Sequence, residues 1–146
     1  MADAQKVRLA TASDLTQVVE LLGQLSPLNG AWPRHRLELL LDEILHDDKH
    51  HLFVYDVGGK IVGEGMVMIR LNLSHGGRAV AYAENIVVDQ SYRGQGIGAQ
   101  LMAKIAETAK KHHCYKLLLD CSEQNVPFYQ KLGFEITFEK NMRMDF

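Results

Sequence analysis

The stretch RGQGIG, residues 93–98, constrains this chain more than any other feature. Its alternating glycines stand between an apolar run, AENIVVD, and a long amphipathic segment, GIGAQLMAKIAETAKKHH. Glycine accepts positive φ and has no Cβ, so such a loop lets backbone N–H groups converge on an anion, and the N-terminus of the following helix adds positive partial charge. The spacing of Ile97, Leu101, Met102, Ile105 and Ala109 predicts one apolar stripe on that helix, with a basic last turn where the helix dipole favours cations.

A strand–helix junction of this kind needs a sheet around it. KVRLATASDL predicts a short strand, then an N-cap at Ser13 or Asp14 for a helix running to about Leu25, with Leu15, Val18, Val19, Leu22 and Leu25 on one face. SPLNGAWP breaks that pattern, and Pro33 suits the first turn of a second helix bearing Leu37, Leu40, Leu41, Ile44 and Leu45. HLFVYDV and KIVGEGMVMIRL flank Gly58-Gly59 as a hairpin, and AVAYAENIVVD follows the polar loop NLSHGGR as the next strand. CYKLLLDC predicts a short buried strand, VPFYQKLGF a short helix stopped at Gly133, and FEITFEKNMRMDF a closing strand pair. This order gives an α/β (α+β) fold with a single mixed, mostly antiparallel central sheet and helices on both faces. With 146 residues, 47% of them hydrophobic, one domain spanning residues 1–146 is expected.

Three kinds of phosphate loop compete for the glycines. A P-loop requires Gly-Lys-Ser/Thr, which occurs nowhere in the chain. Gly94, Gly96 and Ala99 match the G-x-G-x-x-A form of a dinucleotide fingerprint, with Asp120 as the later acidic residue, but DQSYR separates them from the strand and too little chain follows Asp120 for a second βαβ half. Arg93, Gly96 and Gly98 fit the acyl-CoA loop R/Q-x-x-G-x-G/A, in which Arg93 adds a full charge to the amides. On the loop alone, a glycine turn that merely starts a helix fits as well.

The formal net charge of −2 leaves no global basic excess, which argues against nucleic acid or an anionic membrane as partner. No apolar run approaches a membrane span, and MADAQKVRLATASD lacks the basic end and apolar run of a signal peptide. Cys114 and Cys121 are the only cysteines, so a reduced, cytoplasmic protein is expected, with organelle import by another route left open.

AENIVVDQSYRGQGIGAQLM, CYKLLLDCSEQNVPFYQKLGF and the earlier LLGQLS resemble the GNAT acetyltransferase superfamily, and within it the glucosamine 6-phosphate N-acetyltransferases. The second block is the narrower one, since C-Y-K-x-x-L-D/E-C-x-x-x-N-V-x-F-Y-x-K-x-G-F/Y is matched throughout. The resemblance implies an enzyme that binds acetyl-CoA and passes its acetyl group directly to the amine of D-glucosamine 6-phosphate, on the route to UDP-N-acetylglucosamine. It implies no metal. The alternatives are acetylation of another amine, such as a polyamine, an aminoglycoside or a peptide N-terminus, and a non-catalytic CoA-binding module.

Acetyl transfer needs a free amine, an oxyanion stabiliser and a proton for the departing thiolate. By resemblance, backbone N–H groups of Ile86, Val87 and Val88 bind the thioester if the strand is bulged there. Arg93, Gly94, Gln95, Gly96, Ile97, Gly98 and Ala99 hold the pyrophosphate, and Asn125 adds a further CoA contact. Tyr129 is the general acid, against the bland reading of a buried aromatic. Asp120 orients the amine, against that of a strand-end cap. Ser26, Asn72, Leu73, Ser74, His75, Glu84, Asn85, Tyr115 and Lys116 are the implied substrate residues, with Glu84 also counted as catalytic and Lys116 or Arg78 supplying charge for the phosphate.

Two departures stand out. Asn85 occupies a position where the family has Asp, and Asp145 aligns with an Arg that reaches the substrate phosphate of the other subunit in a homodimer with shared sites. Arg143, two residues earlier and on the same face of a strand, is the expected replacement. The pairs His50-His51 and His112-His113 complete no zinc spacing and are expected in solvent.

Overall fold

The computed structural model describes residues 6–27, 30 and 32–146. In chain order these form β1 (Val7–Leu9), α1 (Leu15–Leu25), α2 (Arg34–His46), β2 (His50–Val57), β3 (Lys60–Arg70), the single turn α3 (Ser74–Gly77), β4 (Val80–Val88), α4 (Ile97–Lys111), β5 (Lys116–Leu118) and α5 (Val126–Lys131). The strands make one five-stranded sheet in sequence order, antiparallel except for the parallel β4–β5 pair.

Local chemistry explains most of this. Gly58 and Gly59 have φ of +59° and +94°, the double positive φ that a two-residue hairpin requires, and Asp56 accepts the Gly59 N–H at 2.7 Å. The first helix is led by a 3-10 turn, Ala12–Asp14, and Asp14 rather than Ser13 organises it. The buried Asp14 carboxylate accepts the Thr11 N–H at 2.8 Å and two bonds from the Arg8 guanidinium at 2.8 and 3.0 Å. Arg8 thereby holds the Asp14 carboxyl below the usual carboxylate range, and it also bonds Asp56 at 3.0 Å, tying β1, α1 and β2 together.

Helices cover both faces of the sheet. The α4 stripe of Ile97, Leu101, Met102, Ile105 and Ala109 packs on Phe53, Tyr55, Val62, Val67 and Ala83, while Leu15, Val18, Leu21 and Leu41 of α1 and α2 pack on Leu52, Val54, Ile61 and Val87. The helical faces read from spacing are largely kept, but Leu25, the last residue of α1, and Leu40, midway along α2, are exposed. Gly63 and Gly65 permit the close seat of α4, because a Cβ on either would stand 3.0–3.1 Å from Ile97, Leu101 or Ile105 and, at Gly65, 2.7 Å from Ile86. Between them Glu64 is 1% exposed, and its Oε2 has no hydrogen-bond partner among the described residues. Burial pushes this carboxyl up to about 8, so it is protonated at neutral pH.

The C-terminal end departs from expectation. No strand follows Leu118 among the described residues, and Ile136, Phe138, Met142, Met144 and Phe146 are exposed. Period-2 alternation marks a segment able to pair, but a strand exists only where a ladder is made, and the tail makes none with the free edge of β5 or of β1. For a related reason β5 is half-buried rather than buried, since it is the edge of the sheet.

Candidate active site

The β4–β5 ladder ends at Tyr82 and Leu118. On the other side of β4, Glu64 pairs with Val87 but Met66 pairs with Glu84, so Asn85 and Ile86 together oppose Gly65. That is a β-bulge, and it puts Asn85 at φ +55°, a conformation Asn adopts more readily than most residues. The bulge expected between residues 86 and 88 is therefore present, one residue earlier. With β5 no longer paired, the edge of β4 faces a cleft of about 1060 Å³.

The glycine loop forms one end of this cleft. Gly94 and Gly96 have φ of +79° and +80°, which explains glycine at both. Gly98 lies in the first turn of α4, where a Cβ would stand 3.1 Å from the Phe128 ring, so α5 seats directly on the helix start. Arg93 donates from Nε to the Val88 carbonyl at 3.0 Å, fastening the loop to β4 as well as bringing charge to the cleft. Gln24 of α1 closes the same end, donating to Asp89 and accepting the Gln90 N–H, both at 3.1 Å. Gln24 was not among the expected site residues, because its partners lie far along the chain.

Ile86, Val87, Val88, Arg93, Gly94, Gly96, Ile97, Gly98, Asn125 and Tyr129 all line the cleft, and so do Glu84, Asn85 and Asp120. Gln95 of the loop and Ala99 of the first turn of α4 do not line the cleft. Tyr129 is half-buried, edge-on to Phe128 at 4.9 Å and Phe134 at 5.8 Å. Burial, then the nearby Cys121 charge, pushes its phenol above the ordinary value, so it carries a proton at neutral pH. Asp120 accepts a 2.8 Å hydrogen bond from the Tyr82 hydroxyl, another residue that local patterns did not reveal.

The remaining expected substrate residues, Ser26, Asn72, Leu73, Ser74, His75, Tyr115, Lys116 and Arg143, lie outside the cleft lining. Some of them meet elsewhere. The His75 ring is 4.4 Å from Tyr115, with Arg78 and Lys116 at 5.4 and 5.3 Å from the same ring, so three basic side chains surround one phenol. Asn72 accepts the Ser74 N–H at 3.1 Å, which shapes the turn presenting His75. Arg143 pairs with Asp145 in the exposed tail, and the strand-face argument for it does not apply because residues 135–146 form no strand. Only His113 is exposed as expected: His50, His51 and His112 are half-buried, with His50 Nδ1 2.7 Å from the Asp47 carboxylate and the His51 ring 6.4 Å from Phe53 and 5.0 Å from His112. Among the described residues no group of three His, Cys, Asp or Glu side chains is placed to hold a metal ion, and no helix is long and apolar enough to cross a membrane.

Comparison with known proteins adds to this geometry. The chain is 38% identical to a glucosamine 6-phosphate N-acetyltransferase of Trypanosoma brucei brucei, over 96% of this chain and 95% of the relative. The crystal structure of an acetyltransferase from Trypanosoma brucei superposes with a TM-score of 0.87 at 37% identity, covering 96% of this chain and 98% of the other. That of the glucosamine-6-phosphate N-acetyltransferase from Arabidopsis thaliana gives 0.84 at 31%, covering 96% and 95%. The model of the acetyltransferase (GNAT) family matches residues 15–134, which include β2–β5 with the bulge and the glycine loop. The chain belongs to the GNAT acetyltransferase family.

Proposed function

We propose that this chain transfers the acetyl group of acetyl-CoA to the amine of D-glucosamine 6-phosphate, giving N-acetyl-D-glucosamine 6-phosphate and CoA. The observation that carries this reading is near-full-length similarity to proteins of that name, joined to a cleft in which the bulge, the glycine loop and Tyr129 converge.

Each step uses groups of the chain. The amides of residues 94–99 and the start of α4 receive the pyrophosphate, with Asn125 beside it. The unpaired edge of β4 at residues 86–88 receives the thioester, its N–H groups facing the carbonyl oxygen as that oxygen gains charge. Asp120 and Glu84 hold the acceptor nitrogen, which attacks the carbonyl carbon once its lone pair is free. The C–S bond then breaks, the thiolate takes the Tyr129 proton, and the surplus proton of the amine passes to solvent, from which Tyr129 is reprotonated.

The acceptor phosphate needs cations that the cleft lining lacks apart from Arg93. Arg78 and Lys116 around Tyr115, with the His75 ring beside them, form one source, and Arg143 of a second copy the other. The apolar alternation of the exposed tail supports a homodimer in which each tail completes the other copy's acceptor site. The free thiols of Cys114 and Cys121 are in keeping with a reducing compartment, the cytoplasm.

Thiol release from acetyl-CoA over a panel of amines tests the reading. Glucosamine 6-phosphate is expected to exceed glucosamine by about tenfold or more in kcat/KM, through loss of a charged pair. Preference for a polyamine or an aminoglycoside would replace the substrate, and absence of thiol release with every amine tested would favour a non-catalytic module.

A further inference from the structure

We infer that Tyr82 is a positioning residue for acetyl transfer, its hydroxyl holding the Asp120 carboxylate where β4 and β5 part so that the second carboxylate oxygen is left to the acceptor amine. The inference rests on the function proposed above. Tyr82 and Leu118 are the last pair of the β4–β5 ladder, and Asp120 lies two residues beyond it, at the cleft wall with no strand partner. A carboxylate on such a free strand end samples several rotamers. The 2.8 Å bond from Tyr82 to Oδ2 selects one of them.

The chemistry of the donor matters as much as its place. An Arg or Lys in contact would neutralise Asp120 and compete with the incoming ammonium, whereas a phenol fixes the carboxylate and leaves its charge for the acceptor. Arg70 and Glu84 both act electrostatically on the Tyr82 phenol, whose proton is held more tightly than usual chiefly because it bonds Asp120. Tyr82 also emerges from the paired part of β4, so it is half-buried and anchored while Asp120 is exposed.

The test compares Tyr82→Phe, Asp120→Asn and the double variant, each by steady-state kinetics with glucosamine 6-phosphate and acetyl-CoA. Tyr82→Phe keeps the ring and is expected to lower kcat/KM for the amine about tenfold while leaving the KM for acetyl-CoA within about twofold. In the Asp120→Asn background the same change should have no further effect, since the hydroxyl then has no carboxylate to hold. An unchanged kcat/KM in the single variant, an equal rise in the KM for acetyl-CoA, or losses that multiply in the double variant would each overturn the assignment. If the wild-type chain prefers another amine, the substrate reading fails on its own and the same three variants are compared with that amine.

Discussion

At the glycine-loop end of the cleft every wall is fastened by a contact within the chain: Arg93 to Val88, Gln24 to Asp89 and Gln90, Phe128 over Gly98. At the other end, past Tyr82 and Asp120, the basic group around Tyr115 lies outside the cleft lining, and the tail carries apolar side chains into solvent. Under the function proposed above, the contrast assigns the acetyl donor to the end that one copy builds by itself, and the acceptor to the end that one copy leaves open. On that reading the donor end carries the chemistry common to the family, and the open end carries the discrimination between amines.

Substitutions at the two ends should therefore separate cleanly. The largest effect is expected from Gly96→Asp, which sets a carboxylate against the pyrophosphate and forces a side chain onto a φ of +80°. Like-charge juxtaposition of several kcal/mol corresponds to a loss on the order of 10³-fold in acetyl-CoA affinity by calorimetry. A folded variant that binds acetyl-CoA normally would dissolve the donor end of the comparison. Tyr129→Phe removes one proton donor and keeps the ring between Phe128 and Phe134, so kcat should fall on the order of 10²-fold with little change in either KM.

At the acceptor end, Arg143→Ala should raise the KM for glucosamine 6-phosphate about tenfold and leave that for acetyl-CoA unaltered. Asp145 holds the same guanidinium within the tail, so Asp145→Ala is expected to lower that KM a few-fold by freeing Arg143 for phosphate. Identical kinetics in both variants would remove the tail from the acceptor site.

The smallest effect on catalysis is expected at Glu64, which lies behind the bulge, is buried and is not in the cleft lining, and its effect is expected in the pH dependence of stability instead. Its folded pKa of about 8 lies above the 4.5 of the free group, so its contribution is full below about 4.5 and is lost as pH rises through 8. Thermal or urea unfolding should show a loss of roughly 5 kcal/mol across that window, and Glu64→Gln should abolish the slope while keeping activity near wild type. A pH-independent difference between the two proteins would contradict this.

What was legible in the sequence divides along the same line. The loop, α4 and the Gly58-Gly59 turn depend on neighbours in the chain, and they appear where spacing put them. The bulge at Asn85–Ile86 depends on a register between β3 and β4, and the Tyr82–Asp120 and Gln24–Asp89 contacts join residues 38 and 65 apart. No local pattern carries such pairs. The histidine pairs complete no zinc spacing, which predicts solvated rings, but spacing within each pair does not show that His51 meets His112 at the end of α4. The tail was legible as strand-forming and illegible as to its partner, since alternation specifies a face and not the strand that covers it.

The shared acceptor site can be tested most directly by mixing Arg143→Ala subunits with Tyr129→Phe subunits under demonstrated exchange, assayed with acetyl-CoA and glucosamine 6-phosphate. With glucosamine 6-phosphate held well below its wild-type KM, where Arg143→Ala is itself impaired, a tail acting in trans gives each mixed dimer one site with both lesions and one with neither, and a statistical mixture should recover about a quarter of wild-type activity. Activity no higher than the mean of the two parent variants would contradict a site completed by the second copy.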